Sequence, residues 1–216
     1  NLAWCHPVLY QRLVAAREAS GSRLVVVDPR RTATAEDADM HLAIAAGSDV
    51  ALFQGLLAHL AVRGATDAGF VATHTTGVEA ALAATADTDI LTVARATGLS
   101  EDQLAAFFAL FAATEKVVTV FSQGVNQASD GTDKVNAIIN CHLLTGRIGR
   151  PGMGPFSVTG QPNAMGGREV GGLANQLAAH MEIENAADRE RVARFWKTDR
   201  VADRPGLKAV DLFRAV

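Results

Sequence analysis

The sequence predicts an α/β fold: a Rossmann-like parallel sheet flanked by helices, then a glycine-rich crossover loop and a partial second unit. Three observations lead there. Two short apolar runs, Leu24-Val25-Val26-Val27 and Val117-Val118-Thr119-Val120-Phe121, read as strands buried on both faces of a parallel sheet. Stretches with helical spacing alternate with them, the rhythm of βαβ units. From 149 to 172 glycine and proline become dense and no periodic apolar face survives, so that segment reads as a structureless loop.

The elements follow in order. Pro7 suits a first helical turn, and Val8, Leu9, Leu13, Val14 and Ala16 recur at helical spacing, predicting a helix over 6–18 that Gly21 stops. The run at 24–27 is the first strand, Asp28-Pro29-Arg30-Arg31-Thr32 its polar end, 34–39 a helical turn at most, and 40–44 a second short strand. Ser48 or Asp49 is a natural N-cap for a helix carrying Leu52, Leu56, Leu57 and Leu60. Residues 67–95 read as short, alanine-bearing helices, and Ser100-Glu101-Asp102-Gln103 is a capping box that starts a helix reaching 113. After the second buried strand, 131–145 reads as a helix ended by Gly146, and 173–181 can be helical. The tail 182–216 is charged and broken by Pro205.

Composition removes several functions. Hydrophobic residues are 49% and charged residues 20%, ordinary for a globular protein. The net charge of -3 provides no basic footprint, so no nucleic-acid partner is expected. No apolar run reaches the roughly 18 residues of a membrane span, which points to a soluble protein with no membrane partner. Cys5 and Cys141 have no CxxC neighbour, and the six histidines are scattered without an HExxH pair, so a metal site built from this chain alone is not expected. Ser100 and Ser157 lie outside any GxSxG nucleophile elbow. The start at Asn1 without methionine and the end at Val216 without a breaking signal suggest a piece of a longer protein.

Ligands of open α/β sheets sit beyond the carboxyl ends of strands, where an acidic residue accepts hydrogen bonds and arginine meets phosphate. Asp28 and Arg30 fit that place, although a proline turn with solvated arginines has the same pattern. Gly47-Ser48-Asp49 is either a plain helix cap or a second ligand contact. Gln123 and Gln127 follow the second apolar strand, and their amides either bind a ligand or serve as ordinary loop groups. His142, in an apolar helical stretch, reads as a satisfied or half-buried histidine. No GxGxxG opens the unit, and the glycines of TGQPNAMGGREVGG, residues 159–172, lack the strand-then-helix setting of a phosphate loop.

VVVDPRRTATAEDADMHLAIAAGSDVAL resembles the nucleotide-binding segment of molybdopterin oxidoreductases of the dimethyl sulfoxide reductase family, which includes formate dehydrogenases and nitrate reductases. NCHLLTGRIGRPGMGPFSVTGQPNAMGGREVGG is more specific and resembles the assimilatory nitrate reductase branch. The resemblance implies a large cytoplasmic enzyme carrying molybdenum-bis(molybdopterin guanine dinucleotide), with a 4Fe-4S cluster whose ligands lie outside this chain. It also implies nitrate as substrate, reduced to nitrite by oxygen-atom transfer, and an electron-donor protein or domain. By matching position, Asn1, Asp28, Arg30, Gly47, Asp49, Gln123 and Gln127 would hold one dinucleotide. Thr159, Gln161 and Arg168 would stand near the metal, with Arg168 guiding the anion. Thr159 takes the place of an arginine in the formate dehydrogenases, which favours nitrate.

The implied organisation is a dinucleotide-binding domain over 1–148, an active-site loop over 149–172 and the start of an adjoining cofactor-binding domain over 173–216. Cys5 and Cys141 match neither a cluster ligand nor a molybdenum ligand, so the isolated chain is expected neither to reduce nitrate nor to keep the cofactor. The alternatives are another molybdopterin oxidoreductase, such as a formate dehydrogenase, and a non-catalytic nucleotide-binding module.

Overall fold

The structure is a computed structural model that describes residues 1–160 and 163–216. It divides into two compact units, Asn1–Gly160 and Gln161–Val216, and the seam falls inside the glycine-dense stretch. Both units are mixed from helices and short extended segments, and the first is α/β with parallel pairing.

The first unit opens with α1 (Leu2–Cys5) and α2 (Pro7–Ser20). Gly21 ends α2 at φ +68°, a left-handed conformation that a Cβ would strain. Next come β1 (Val25–Val27), the single turn α3 (Ala33–Glu36) and β2 (Met40–Leu42), which pairs parallel to β1 with Val25 opposite Met40. Arg17 of α2 braces this ladder: its Nη2 lies 2.7 Å from Asp39 Oδ2, and Nη1 donates to the Asp37 carbonyl. Asp39 also accepts from the Leu24 amide, and that hydrogen bond, helped by Arg17, holds its carboxyl below the usual range.

Helix α4 (Asp49–Val62) is the hub of the unit, since Leu52, Phe53, Leu56, Leu57 and Leu60 are all buried. A helix apolar on so many sides needs neighbours around most of its circumference. They arrive as α6 (Val78–Ala83), α7 (Ile90–Thr97), α8 (Glu101–Ala113) and α10 (Gly131–Leu144), with α5 (Ala68–His74) packed on α10. Side chains start three of these elements: Asp67 accepts from Phe70 N, Asp89 from Thr92 N, and Ser100 with Gln103 forms the expected reciprocal capping box. β3 (Val118–Phe121) leads through α9 (Gln123–Asn126) and α10 to β4 (Gly154–Ser157), which runs parallel to β3 with Val118 opposite Gly154.

Several expectations change. The parallel pairing is divided between two two-stranded ladders, β1 with β2 and β3 with β4. β3 is not buried on both faces: Val118 and Val120 are 49% and 45% exposed, whereas Phe121 is 9%. A continuous apolar run looks alike in both cases, and only the packing partner decides. The stretch 149–172 is not structureless, because it contains β4 and α11 (Ala164–Glu169). β4 forms because β3 supplies its ladder hydrogen bonds, which its composition of glycine, proline, phenylalanine and serine does not announce. The helix allowed over 173–181 shrinks to a 3-10 turn at Ala178–His180, since Ala179 and His180 take φ of +55° and +59°.

The second unit gathers Leu177, Ile183 and Val192 into a small core, with Met181 and Val201 against it. Its tail forms α12 (Ala186–Trp196) and α13 (Ala209–Ala215). Among the described residues no helix is long and apolar enough to cross a membrane.

At Gly55 of α4 a Cβ would stand 2.5 Å from Val93 Cγ2 and 3.2 Å from Phe108 Cζ. Glycine to alanine in a helix ordinarily stabilises by about 1 kcal/mol. Here Val93 and Phe108 are buried and cannot withdraw, so Gly55→Ala is expected to destabilise by about 1 to 2 kcal/mol. Denaturant unfolding checks the sign, and Val93→Ala in the same chain should recover part of the loss.

Candidate functional site

The polar loop after β1 is ordered by Asp28. Its Oδ1 accepts from the Arg30 amide at 2.8 Å and lies 3.8 Å from Arg30 Nε, while the Asn1 amino nitrogen is 3.9 Å from Oδ2. The Asn1 amide is fixed as well, its Oδ1 accepting from the Thr34 hydroxyl at 3.0 Å. His41 Nε2 donates to the Asp28 carbonyl at 2.9 Å, which sets the imidazole tautomer. Asn1, Asp28 and Arg30 therefore meet at the carboxyl end of β1, and the Arg30 guanidinium is 77% exposed.

The segment after β2 is anchored by Ala45 N, which donates to the Thr97 carbonyl at 2.7 Å. Gly47 turns the chain at φ +88°. Ser48 occupies the N-cap position of α4, but its hydroxyl donates back to the Ala45 carbonyl and caps no amide. Asp49, the first residue of α4, has its Oδ2 2.9 Å from Lys134 Nζ. Lys134 comes from α10, is 3% exposed, and lies 3.7 Å from Asp130 Oδ1 and 3.5 Å from the Gly124 carbonyl. The hydrogen bond to Asp49 holds its ammonium above the usual lysine range, against the opposing effect of burial.

The segment after β3 begins at Gln123. Its side-chain amide faces the Gly160 backbone so closely that a Cβ there would meet Gln123 Cδ and Nε2 at 2.9 Å. The Gln127 backbone N–H donates to the Gln123 backbone carbonyl, and Asn126 Nδ2 donates to Ser157 Oγ at 2.9 Å, joining α9 to the end of β4. Thr159 is exposed just beyond β4, and Gln161 lies outside the described residues. In the second unit Arg168 is exposed on the last turn of α11, and its neighbour Glu169 is 2.7 Å from His180 Nε2.

The first unit thus presents carboxylates, a guanidinium and primary amides at the ends of three strands. That donor and acceptor set suits a ligand with phosphates and a base edge, and offers no nucleophile for covalent catalysis. Among the described residues no three His, Cys, Asp or Glu side chains are grouped as metal ligands.

The model of the molybdopterin oxidoreductases matches residues 1–213. The chain belongs to the molybdopterin oxidoreductases. A nitrate reductase of Klebsiella oxytoca is 52% identical over all of this chain and 24% of its own length. The assimilatory nitrate reductase catalytic subunit of Bacillus subtilis is 34% identical over 91% of this chain and 28% of its own. Among solved structures, the acetylene hydratase of Pelobacter acetylenicus is similar at a TM-score of 0.62 and 26% identity, covering 67% of this chain and 20% of that one. The chain therefore spans about a quarter of the length of these relatives.

Lys134, buried in its cluster with Asp49, was not among the residues expected from the sequence. Its signal was its register: Lys134, Ala137, Ile138 and Cys141 share one helical stripe, so a lysine there belongs to the buried face. Cys141 on the same stripe is fully buried, its Sγ donating to the Phe53 carbonyl at 3.3 Å, and burial pushes the thiol up beyond reactivity at neutral pH.

His142 is fully buried, more than the half-burial first allowed for. Its Nε2 pairs with the Thr119 hydroxyl at 2.8 Å, the Phe111 ring stands edge-on at 5.6 Å, and Nδ1 has no partner. Beside it the buried Arg147 places its guanidinium 5.0 Å from the Phe111 centroid and donates to the Ala112 and Thr114 carbonyls. Burial, helped by the Arg147 charge, pushes His142 down from 6.5 to about 4. The folded unit holds a neutral imidazole, so this stability is complete above pH 6.5 and is lost as pH falls from 6.5 toward 4. Denaturant unfolding is expected to show that wild type loses about 2 to 3 kcal/mol more than His142→Gln between pH 7.5 and 4.5. Equal losses would show that His142 gains its proton without cost to the fold.

Proposed function

We propose that the parent protein is a molybdenum nitrate reductase and that the first unit of this chain binds one molybdopterin guanine dinucleotide. The observation that carries the reading is the strand-end set in that unit, Asn1, Asp28, Arg30, Asp49, Gln123 and Gln127, held by hydrogen bonds and ion pairs beyond β1, β2 and β3. The residues fit such a group chemically. Arg30 is exposed for phosphate, Asp49 accepts from a guanine N–H, and the glutamine amides serve both donors and acceptors. Gly47 leaves open space where a side chain would begin, which allows a ligand close to the backbone.

The bound molybdenum group supplies two-electron redox chemistry, and the protein residues supply binding and orientation. Arg168 attracts and orients nitrate, since a guanidinium matches a planar trigonal oxyanion with paired N–H donors. By the family resemblance Thr159 and Gln161 are assigned to the anion's approach. The balanced reaction joins nitrate, two protons and two electrons to give nitrite and water. A 4Fe-4S cluster with ligands outside this chain would supply the electron transfer in the parent, a donor protein or domain would be its partner, and the parent works in the cytoplasm. In this reading 1–148 is the dinucleotide-binding domain, 149–172 the active-site loop and 173–216 the beginning of the adjoining cofactor-binding domain.

The experiment is an assay of the full-length parent with nitrate and, separately, with formate. Turnover of nitrate with a reduced dye is the expected result, and turnover of formate alone would overturn the substrate. Asp49→Ala in the parent is expected to lower guanine and molybdenum content. Arg168→Ala should keep the cofactor while lowering kcat/KM for nitrate by about a hundredfold, the scale of one lost electrostatic contact to the reacting anion. Loss of cofactor from Arg168→Ala would make that residue structural.

A further inference from the structure

We propose that Lys134 is a positioning residue for the cofactor: its buried ammonium aims the Asp49 carboxylate and ties together the strand-end segments after β2 and β3. This rests on the reading that Asp49 contacts guanine.

Three acceptors surround the ammonium, each from a different segment: Asp49 Oδ2 at 2.9 Å from the start of α4, Gly124 O at 3.5 Å from α9, and Asp130 Oδ1 at 3.7 Å from the residue before α10. An ammonium has three donors and no acceptor; here it meets Asp49 and Gly124 within hydrogen-bond distance and Asp130 at ion-pair distance. Two carboxylates share the one cation, and the cluster keeps a net negative charge suited to an N–H donor. The ion pair uses Oδ2 of Asp49, which leaves Oδ1 to accept from the donor edge of a guanine.

Stability alone is a poor reason to bury this charge. An apolar side chain of similar length in such a place is often equally stable or more so, whereas orientation of a partner is something only the charge provides. The need for orientation is visible in the sheet topology. The β1–β2 and β3–β4 ladders are separate, so no ladder hydrogen bond sets the spacing between Asp49 and the Gln123–Gln127 segment. Lys134 supplies a direct polar link between them.

The test uses the full-length parent as wild type, Lys134→Met, Lys134→Arg and Asp49→Asn. Guanine nucleotide and molybdenum per polypeptide are measured after acid release, and the melting temperature is measured on protein made without cofactor. Lys134→Met is expected to lower guanine content about five- to tenfold, and Lys134→Arg, which keeps the charge, to recover most of it even at an equally lowered melting temperature. A full complement in Lys134→Met overturns the proposal, as does cofactor content that simply follows melting temperature across the variants. Should Lys134→Met fail to fold, Lys134→Gln replaces it, and a full complement there has the same force. A full complement in Asp49→Asn overturns the guanine reading itself. Loss in Asp49→Asn with none in Lys134→Met overturns only the positioning role.

Discussion

The first unit depends on the sheathing of α4. Its side chains Leu52, Phe53, Leu56, Leu57 and Leu60 leave water together, and each contributes about 1.5 to 3 kcal/mol when fully buried. A two-stranded ladder has too little surface to cover such a helix, so the cover is helical: α7 and α8 on some sides, α10 on another. The strands are left at the margin of this core. That arrangement fixes where chemistry is possible, because strand ends at the margin are open to a ligand while the helical centre is closed to one.

Burial of the α4–α10 contact explains the polar residues found inside it. Cys141 donates to the Phe53 carbonyl, and Lys134 meets Asp49 where the two helices approach. His142 points to the other side of α10, toward Thr119 of β3. One helix thus binds the hub through a thiol and an ammonium and binds a strand through an imidazole. Each of these groups is uncharged or paired, as a dry interior requires.

Much of this was readable from residue order. The capping box at Ser100 and Gln103, the glycine stop at Gly21 and the apolar periodicity of 49–62 are local signals, and local signals survive into the fold. What was not readable is relational. Val117-Val118-Thr119-Val120-Phe121 has the same composition whether one face is covered or two. β4 exists because β3 is beside it, and the division into two ladders is a property of topology alone. Asp28 and Arg30 were picked out by type and Asn1 only by the family resemblance, and the three lie together at the end of β1. The partner of Asp49 was missed because Lys134 stands 85 positions away and is visible only through the register of α10. Gln161 lies outside the described residues.

The two ladders also differ in how far the chain must travel to close them. Val25 faces Met40 across 15 positions, whereas Val118 faces Gly154 across 36. Closure entropy grows only with the logarithm of that distance, so the longer ladder costs about 0.8 kcal/mol more to bring together. The larger consequence concerns order in time. The short ladder needs one helical turn between its strands, while the long one waits for α9 and α10 to be laid down first. The exposed row of Val118, Val120 and Phe156 thus lies on the ladder with the longer closure, where an unpaired strand would offer an apolar edge to other chains.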